Sequence, residues 1–335
     1  MPKRAFGLLL AAALGLSTLP AAARAEIGEL KIAIQYGLGY LPLLVAKNQR
    51  LIEKHAEAQG AGKLAVSWTV LNGGAATNDA LLSGNAHIVA AGIAPLLTIW
   101  DKTRGSLDVK ALAGLDSSAY WLNSNNPGVK TIRDLTEKDR IAVPATRISI
   151  NSVILQIAAE KEFGLGHHYD LEPFTTTLSP PEATAALVSG KTEITGHVTT
   201  PTYGSQQLAY PNVHRILNSR DVIGPATLVL AYGTAKFHDE NPKVVAAFLG
   251  ALREAFGVIE RDKTLAARAY LAEERSKLSE ADVLALLNNP DITHSFVPYN
   301  TGVIADFMHR VGSIKNKPAS WKDYVFSDLH GEAGS

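Results

Sequence analysis

The chain carries one pattern twice. Ala80-Leu81-Leu82-Ser83-Gly84-Asn85-Ala86-His87-Ile88 recurs 106 positions later as Ala186-Leu187-Val188-Ser189-Gly190-Lys191-Thr192-Glu193-Ile194. At the same offset Pro95 meets Pro201, and Lys31-Ile32-Ala33-Ile34 is echoed by Arg140-Ile141-Ala142-Val143 at an offset of 109. Each copy reads strand, loop, helix, strand, loop, helix ended by glycine, strand, then a loop closing on proline. One short match is within reach of chance; ordered matches before, within and after it are much harder to obtain that way. Two similar α/β units in one chain can face each other across a cleft, and a cleft between lobes is where small ligands bind.

Local patterns fill in the units. Residues 30–35 form a buried-type strand, followed by the loop Tyr36-Gly37-Leu38-Gly39-Tyr40 and a helix opening around Pro42, where a missing N–H costs nothing. Val66, Trp68 and Val70 alternate along a second strand. Asn72-Gly73-Gly74-Ala75 turns into a helix that ends at Gly84. Short apolar strands joined by helical crossovers imply a parallel sheet covered by helices. The loop Asn123-Ser124-Asn125-Asn126-Pro127-Gly128 leads into the second unit, with a strand over 140–143 and a helix over 149–163. Beyond Asn241-Pro242 the repeat stops, and helices are expected over 242–260, 263–273 and 279–287. This helical last third should pack back on the first unit, leaving crossings near 116–124 and 221–234.

The first residues read as an address. Lys3 and Arg4 precede an apolar run from Ala5 to Leu19, and Ala23-Arg24-Ala25 is a small-x-small cleavage site, so residues 1–25 form a secretory signal peptide. The run is shorter than the ~20 residues of a spanning helix. Cleavage removes Lys3, Arg4 and Arg24 and no acid, so the balanced 32 basic and 32 acidic residues become a net charge near −3. That balance fits neither a nucleic-acid footprint nor a polybasic membrane anchor. There is no cysteine, hence no disulfide, thiolate ligand or lipidated thiol. A freely diffusing periplasmic protein is the expectation.

The order of these pieces resembles the periplasmic solute-binding proteins of ABC importers, in the nitrate/sulfonate/taurine-type family. The matching segments are Lys31–Tyr40, Asn72–Gly84, Ala111–Asp116, Ile141–Pro144, Phe237–Leu249 and Trp321–Asp323. The resemblance implies a two-lobed α/β fold of type II, each lobe a mostly parallel sheet flanked by helices and the second lobe inserted in the first. The expected division is 26–121 for the first part of lobe one, 122–225 for lobe two and 226–335 for the rest of lobe one. It also implies a monomer that carries a small ligand to a permease and its ATPase, with no cofactor, metal or nucleic acid.

In such sheets ligands sit beyond the C-terminal ends of the strands, at helix N-termini that favour oxyanions. The repeat marks those loops in both lobes. In lobe one they offer Tyr36, Leu38 and Tyr40, then Asn72, Gly73 and Gly74, then Gly92, and at the crossing Ser117 and Ser118. In lobe two they offer Arg147, Ser149, His197 and Thr199, with Asp221 at the second crossing. Arg147 follows a strand and precedes a helix, so its guanidinium could fork onto a carboxylate or sulfonate; the competing reading is a surface arginine paired with an acid. Ser149 is also a natural N-cap, His197 also a core histidine, and Asp221 also a partner for Arg220. Arg147 and the helix starts point to a small organic anion, and Tyr36 and Tyr40 leave room for an aromatic one.

Other chemistries fail on spacing. Ser189-Gly190-Lys191-Thr192 lacks the upstream glycine of a P-loop and ends a helix where a P-loop opens one. His167-His168 has no third ligand at zinc spacing. No Gly-x-Ser-x-Gly elbow or His-Glu-x-x-His is present. A relative of this fold makes the thiamine pyrimidine, but it relies on a Cys-rich segment that this chain lacks. A transcription regulator would need a helix-turn-helix where the signal peptide stands, and a periplasmic sensor subunit is the remaining alternative to import.

Overall fold

A computed structural model describes residues 26–274 and 276–335. The expected signal peptide over 1–25 lies outside the described residues. Ten strands occur in chain order: β1 (Glu29–Ile34), β2 (Ala65–Val70), β3 (Ile88–Gly92), β4 (Lys110–Asp116), β5 (Trp121–Ser124), β6 (Ile141–Val143), β7 (Thr175–Thr177), β8 (Gly196–Thr199), β9 (His214–Asn218) and β10 (Val229–Gly233). They form two sheets, β2-β1-β3-β10-β4 and β7-β6-β8-β5-β9. The orders are equivalent position by position, which is the physical content of the repeat. Lys31–Ile34 and Arg140–Val143 lie in the equivalent strands β1 and β6, and Gly84 and Gly190 follow equivalent helices, both in the left-handed region (φ 72° and 60°).

Each sheet is mixed, as one strand in each runs against the others. β10 is antiparallel to β3 and β4, and β5 is antiparallel to β8 and β9. Those two strands follow the crossings between sheets: the chain leaves the first sheet after β4 to enter the second as β5, and leaves the second after β9 to return as β10. A strand that arrives directly from the other sheet needs no helical crossover, so it can run antiparallel. The crossings are tied to each other, Tyr120 N–H donating to Ser219 Oγ (2.8 Å) and Ser219 N–H to the Tyr120 carbonyl (2.8 Å). They are also tied to the C-terminal region, through Ser117 N–H to the Thr293 carbonyl (2.8 Å) and Ala119 N–H to that of Asp291 (2.7 Å).

The last third is helical, over Pro242–Arg261, Lys263–Glu274, Glu280–Leu287 and Gly302–Arg310. Pro242–Arg261 buries Val244, Val245, Phe248 and Leu252 against the helix Leu51–Ala58 of the first lobe. Its N-terminal N–H groups at Lys243 and Val244 donate to the Glu26 carboxylate (3.0 and 2.8 Å), a charge-assisted cap. No described helix is long and apolar enough to cross a membrane.

One helix joins the lobes. Ile150–Phe163 is buried on every face from Ile150 to Glu160, polar residues included, as a helix packed on more than one side is. Leu155, Ala158 and Ala159 pack with Leu122, Ile141 and Val143 of the second sheet. Ile150, Val153, Ile154 and Ile157 instead join the buried cluster of the first lobe.

Candidate ligand-binding cleft

The C-terminal ends of β1, β3, β6 and β8 point toward one another, and the loops that follow them close over a cleft. It is lined by Gln35, Tyr36, Gly39, Tyr40 and Asn72 from the first lobe, and by Pro144, Asn151, Thr199, Thr200 and Tyr203 from the second; Tyr120 comes from a crossing. The lobes are drawn together, so the enclosed volume is about 40 Å³, far below the ~300–1,000 Å³ of an occupied small-molecule site. Three glycines set the approach. A Cβ on Gly73 (φ 80°) would stand 2.9 Å from the Pro144 carbonyl oxygen, and one on Gly92 2.7 Å from Ile150 Cγ2, both across the lobe boundary. A Cβ on Gly74 would collide with Pro95 inside the first lobe at 2.2 Å.

The lining is polar but uncharged. Tyr40, Tyr120 and Thr199 are 6%, 4% and 2% exposed, yet no hydrogen bond joins their side chains to another described residue. The side chains of Gln35, Asn72 and Thr200 at the same surface likewise have no such partner. The hydroxyls open on the cleft, and a cluster of donors without protein partners around one cleft marks groups held for a ligand. Among the described residues that line the cleft there is no lysine, arginine or histidine. Behind Gly39 lies Asp116, fully buried, with one oxygen bonded by Ser118 Oγ and the other without a partner. Burial pushes its carboxyl above the usual range, against the opposing pull of His294 and the Ser118 bonds.

The residues singled out from the sequence divide into three groups. Tyr36, Tyr40, Asn72 and Thr199 line the cleft, and Leu38, Gly73, Gly74 and Gly92 form the close contacts around it. Ser117, Ser118 and Ser149 are engaged in local structure: Ser117 Oγ donates to Thr227 Oγ1 (3.1 Å), Ser118 holds Asp116, and Ser149 caps its helix by accepting from Ser152 N–H (3.2 Å). His197 is fully buried in β8, with Nδ1 facing Gln207 Nε2 at 2.5 Å, and burial pushes its pKa down to about 3, so the ring is neutral. Asp221 is exposed on the short helix Ser219–Ile223, and its neighbour Arg220 pairs instead with Asp291 (3.2 Å).

Arg147 stands apart from the cleft lining. Its side chain is 69% exposed, its Nε lies 3.7 Å from Glu172 and its guanidinium 5.6 Å from the Tyr169 ring centre. A left-handed backbone (φ 67°) at this position turns the side chain onto that outer surface. Tyr120, Asn151 and Tyr203 line the cleft without having been singled out. Tyr120 sits inside the crossing read from the sequence and Tyr203 two residues past the repeated Pro201, so both signals were available. A roomier groove of about 540 Å³ between Tyr210 and Leu286 lies along helix surfaces, away from the strand ends. No group of three acidic or histidine side chains among the described residues is placed to hold a metal.

Comparison with known proteins agrees with this geometry. A search of curated protein sequences found no match. Among solved structures, the alkanesulfonate-binding protein SsuA from Xanthomonas axonopodis pv. citri, bound to MOPS, superposes with a TM-score of 0.68 at 20% identity, covering 88% of this chain and 96% of that one. The periplasmic aliphatic sulphonate binding protein SsuA from Escherichia coli gives 0.66 at 18% identity, covering 90% and 93%. The periplasmic nitrate-binding protein NrtA from Synechocystis PCC 6803 gives 0.69 at 15%, covering 89% and 84%. At these identities the likeness establishes the two-lobed periplasmic binding protein fold. Residues 50–283 match the family model for the substrate binding domain of the ABC-type glycine betaine transport system. That match spans well over half of the chain, which therefore belongs to this family of ABC-importer substrate-binding proteins, ligand carriers and not enzymes.

Proposed function

We propose that the protein captures a small organic anion, an aliphatic or aromatic sulfonate or carboxylate, between its lobes in the periplasm and hands it to a membrane permease powered by an ATPase. The observation that carries this reading is the set of hydroxyls of Tyr40, Tyr120 and Thr199, without partners in the protein, that open on the cleft between lobes. An anion taken out of water must find hydrogen-bond donors, and O–H and N–H groups bonding an ionised oxygen form the stronger class of hydrogen bond. The helices that begin at Gly73 and Ile93 open at the cleft edge and add the partial positive charge of their N-termini. Sulfonate and nitrate are the ligands named for structures of the same fold. The anion would thus be held by neutral dipoles, with Arg147 outside the contact set.

Closure supplies the selectivity. Leu38 N–H of the first lobe bonds Thr202 Oγ1 of the second at 3.3 Å. A ligand touching both lobes favours the closed arrangement by its differential affinity for it. A thermal-shift panel of alkyl and aryl sulfonates, aromatic carboxylates, nitrate, pyrimidines and glycine betaine tests the ligand class. A ligand at ~100 times its Kd adds about 2.7 kcal/mol to stability. Stabilisation by sulfonates or carboxylates supports the reading; stabilisation by pyrimidines or glycine betaine alone overturns it.

A further inference from the structure

The helix Lys263–Glu274 ends with a side chain that reaches the edge of the cleft and contacts both lobes. The Glu274 carboxylate accepts from the Gly37 N–H of the first lobe with both oxygens (2.8 Å each) and from the Tyr203 hydroxyl of the second (3.0 Å). The Tyr270 hydroxyl on its own helix also faces it. Tyr203 and Thr202 grip the Gly37–Leu38 turn from the other side, with a Cβ on Gly37 standing 3.5 Å from the Tyr203 ring. This contact between the lobes is made by an ionisable acid. We propose that Glu274 is a cross-cleft clasp, a positioning residue for ligand capture whose carboxyl draws Tyr203 onto Gly37 and whose proton occupancy sets how readily the lobes close.

The groups facing Glu274 supply hydrogen bonds without a compensating cation. They are the phenols of Tyr203 and Tyr270, with Tyr36 and Tyr40 farther out. Nearby charges are committed elsewhere: Glu273 pairs with Lys47 (2.9 Å), Arg268 with Glu280 (2.9 Å), and His294 bonds the Leu38 carbonyl (2.8 Å). Burial therefore outweighs the three hydrogen bonds, and the carboxyl is pushed up to about 7. Opening the cleft removes Tyr203 and admits water, which returns the group toward the ordinary carboxylate range. Closure thus takes up a proton. The advantage this gives the closed form is complete below the ordinary carboxylate pKa and is lost as pH rises through about 7.

This rests on the lobes opening and closing, and the test uses no ligand, so its failure leaves the proposed ligand class untouched. The chain has no cysteine, so Lys63→Cys and Lys191→Cys provide unique dye sites. Both are exposed and precede the N-terminal ends of β2 and β8, on the side away from the cleft. Energy transfer between the dyes reports the lobe angle from pH 5.5 to 8.5. The expected result is a closed:open ratio that is nearly constant above about pH 7 and rises by up to about tenfold per pH unit as the pH falls below it. Glu274→Gln, neutral at every pH and still able to accept from Gly37 and Tyr203 through Oε1, should stay closed with a flat profile, and Glu274→Ala should be flat and more open. A wild-type distance that does not move between pH 8 and 6, or a Glu274→Gln profile that keeps the wild-type slope, would overturn the proposal.

Discussion

Gly92→Ala isolates lobe closure from lobe folding. Gly92 ends β3 with φ −60° and ψ 155°, an extended conformation open to alanine. The added Cβ would meet Ile150 Cγ2 at 2.7 Å and Ile150 Cβ at 2.8 Å, and the third-nearest atom is also Ile150's, its N at 3.6 Å. Ordinary carbon contacts stand near ~3.5–4.0 Å, so the lobes must part locally by about 1 Å. Overpacking of this size costs about 1–3 kcal/mol. Because the strain falls on the closed form, it should weaken ligand binding by about 5- to 150-fold. Ile150→Ala in the same chain removes Cγ2 but leaves Cβ, and should recover part of the loss. Calorimetric titration gives Kd, small-angle scattering gives the radius of gyration, and circular dichroism checks each fold. A folded Gly92→Ala protein with wild-type Kd and radius would refute the claim that this contact belongs to closure.

Three further outcomes are expected. Tyr40→Phe and Tyr120→Phe each remove a cleft-facing hydroxyl without a protein partner, so each should leave stability nearly unchanged while weakening binding by about 1.5–3 kcal/mol if the hydroxyl meets a charged oxygen; titration and urea unfolding separate the two effects. Arg147→Ala should change Kd less than about threefold, since its exposed pair with Glu172 is worth about 0–1 kcal/mol and faces away from the cleft. Ile154→Ala, at a fully buried position in the cluster shared between lobes, should destabilise by about 2–5 kcal/mol, read as a lower urea midpoint.

The architecture was readable because internal repetition survives in apolar strands and helix-ending glycines, where backbone geometry restricts the choice of residue. The helices at Ile150–Phe163, Pro242–Arg261, Lys263–Glu274 and Glu280–Leu287 lie within a residue or two of the positions their caps and periodicity indicate. The antiparallel strands were not legible, because β5 and β10 owe their direction to the path between sheets rather than to their own residues. The site was legible as loops and less so as side chains. Tyr40 and Asn72 face the cleft because their loops follow β1 and β2, and Thr199 because it ends β8, whereas Arg147 sits on such a loop and points away, turned by a left-handed backbone that no local pattern signals. Glu274 is more distant still. It reaches Gly37 from 237 positions away, and only the packing of the last helices on the first lobe brings the two together.

The most direct test of the central claim is a crystal structure of residues 26–335 with the most stabilising anion from the panel. The account predicts closed lobes with the anionic group between them, within hydrogen-bond distance of the Tyr40, Tyr120 and Thr199 hydroxyls. An anion bound at the Arg147–Glu172 surface, or in the groove between Tyr210 and Leu286, with those three hydroxyls uncontacted, would contradict it.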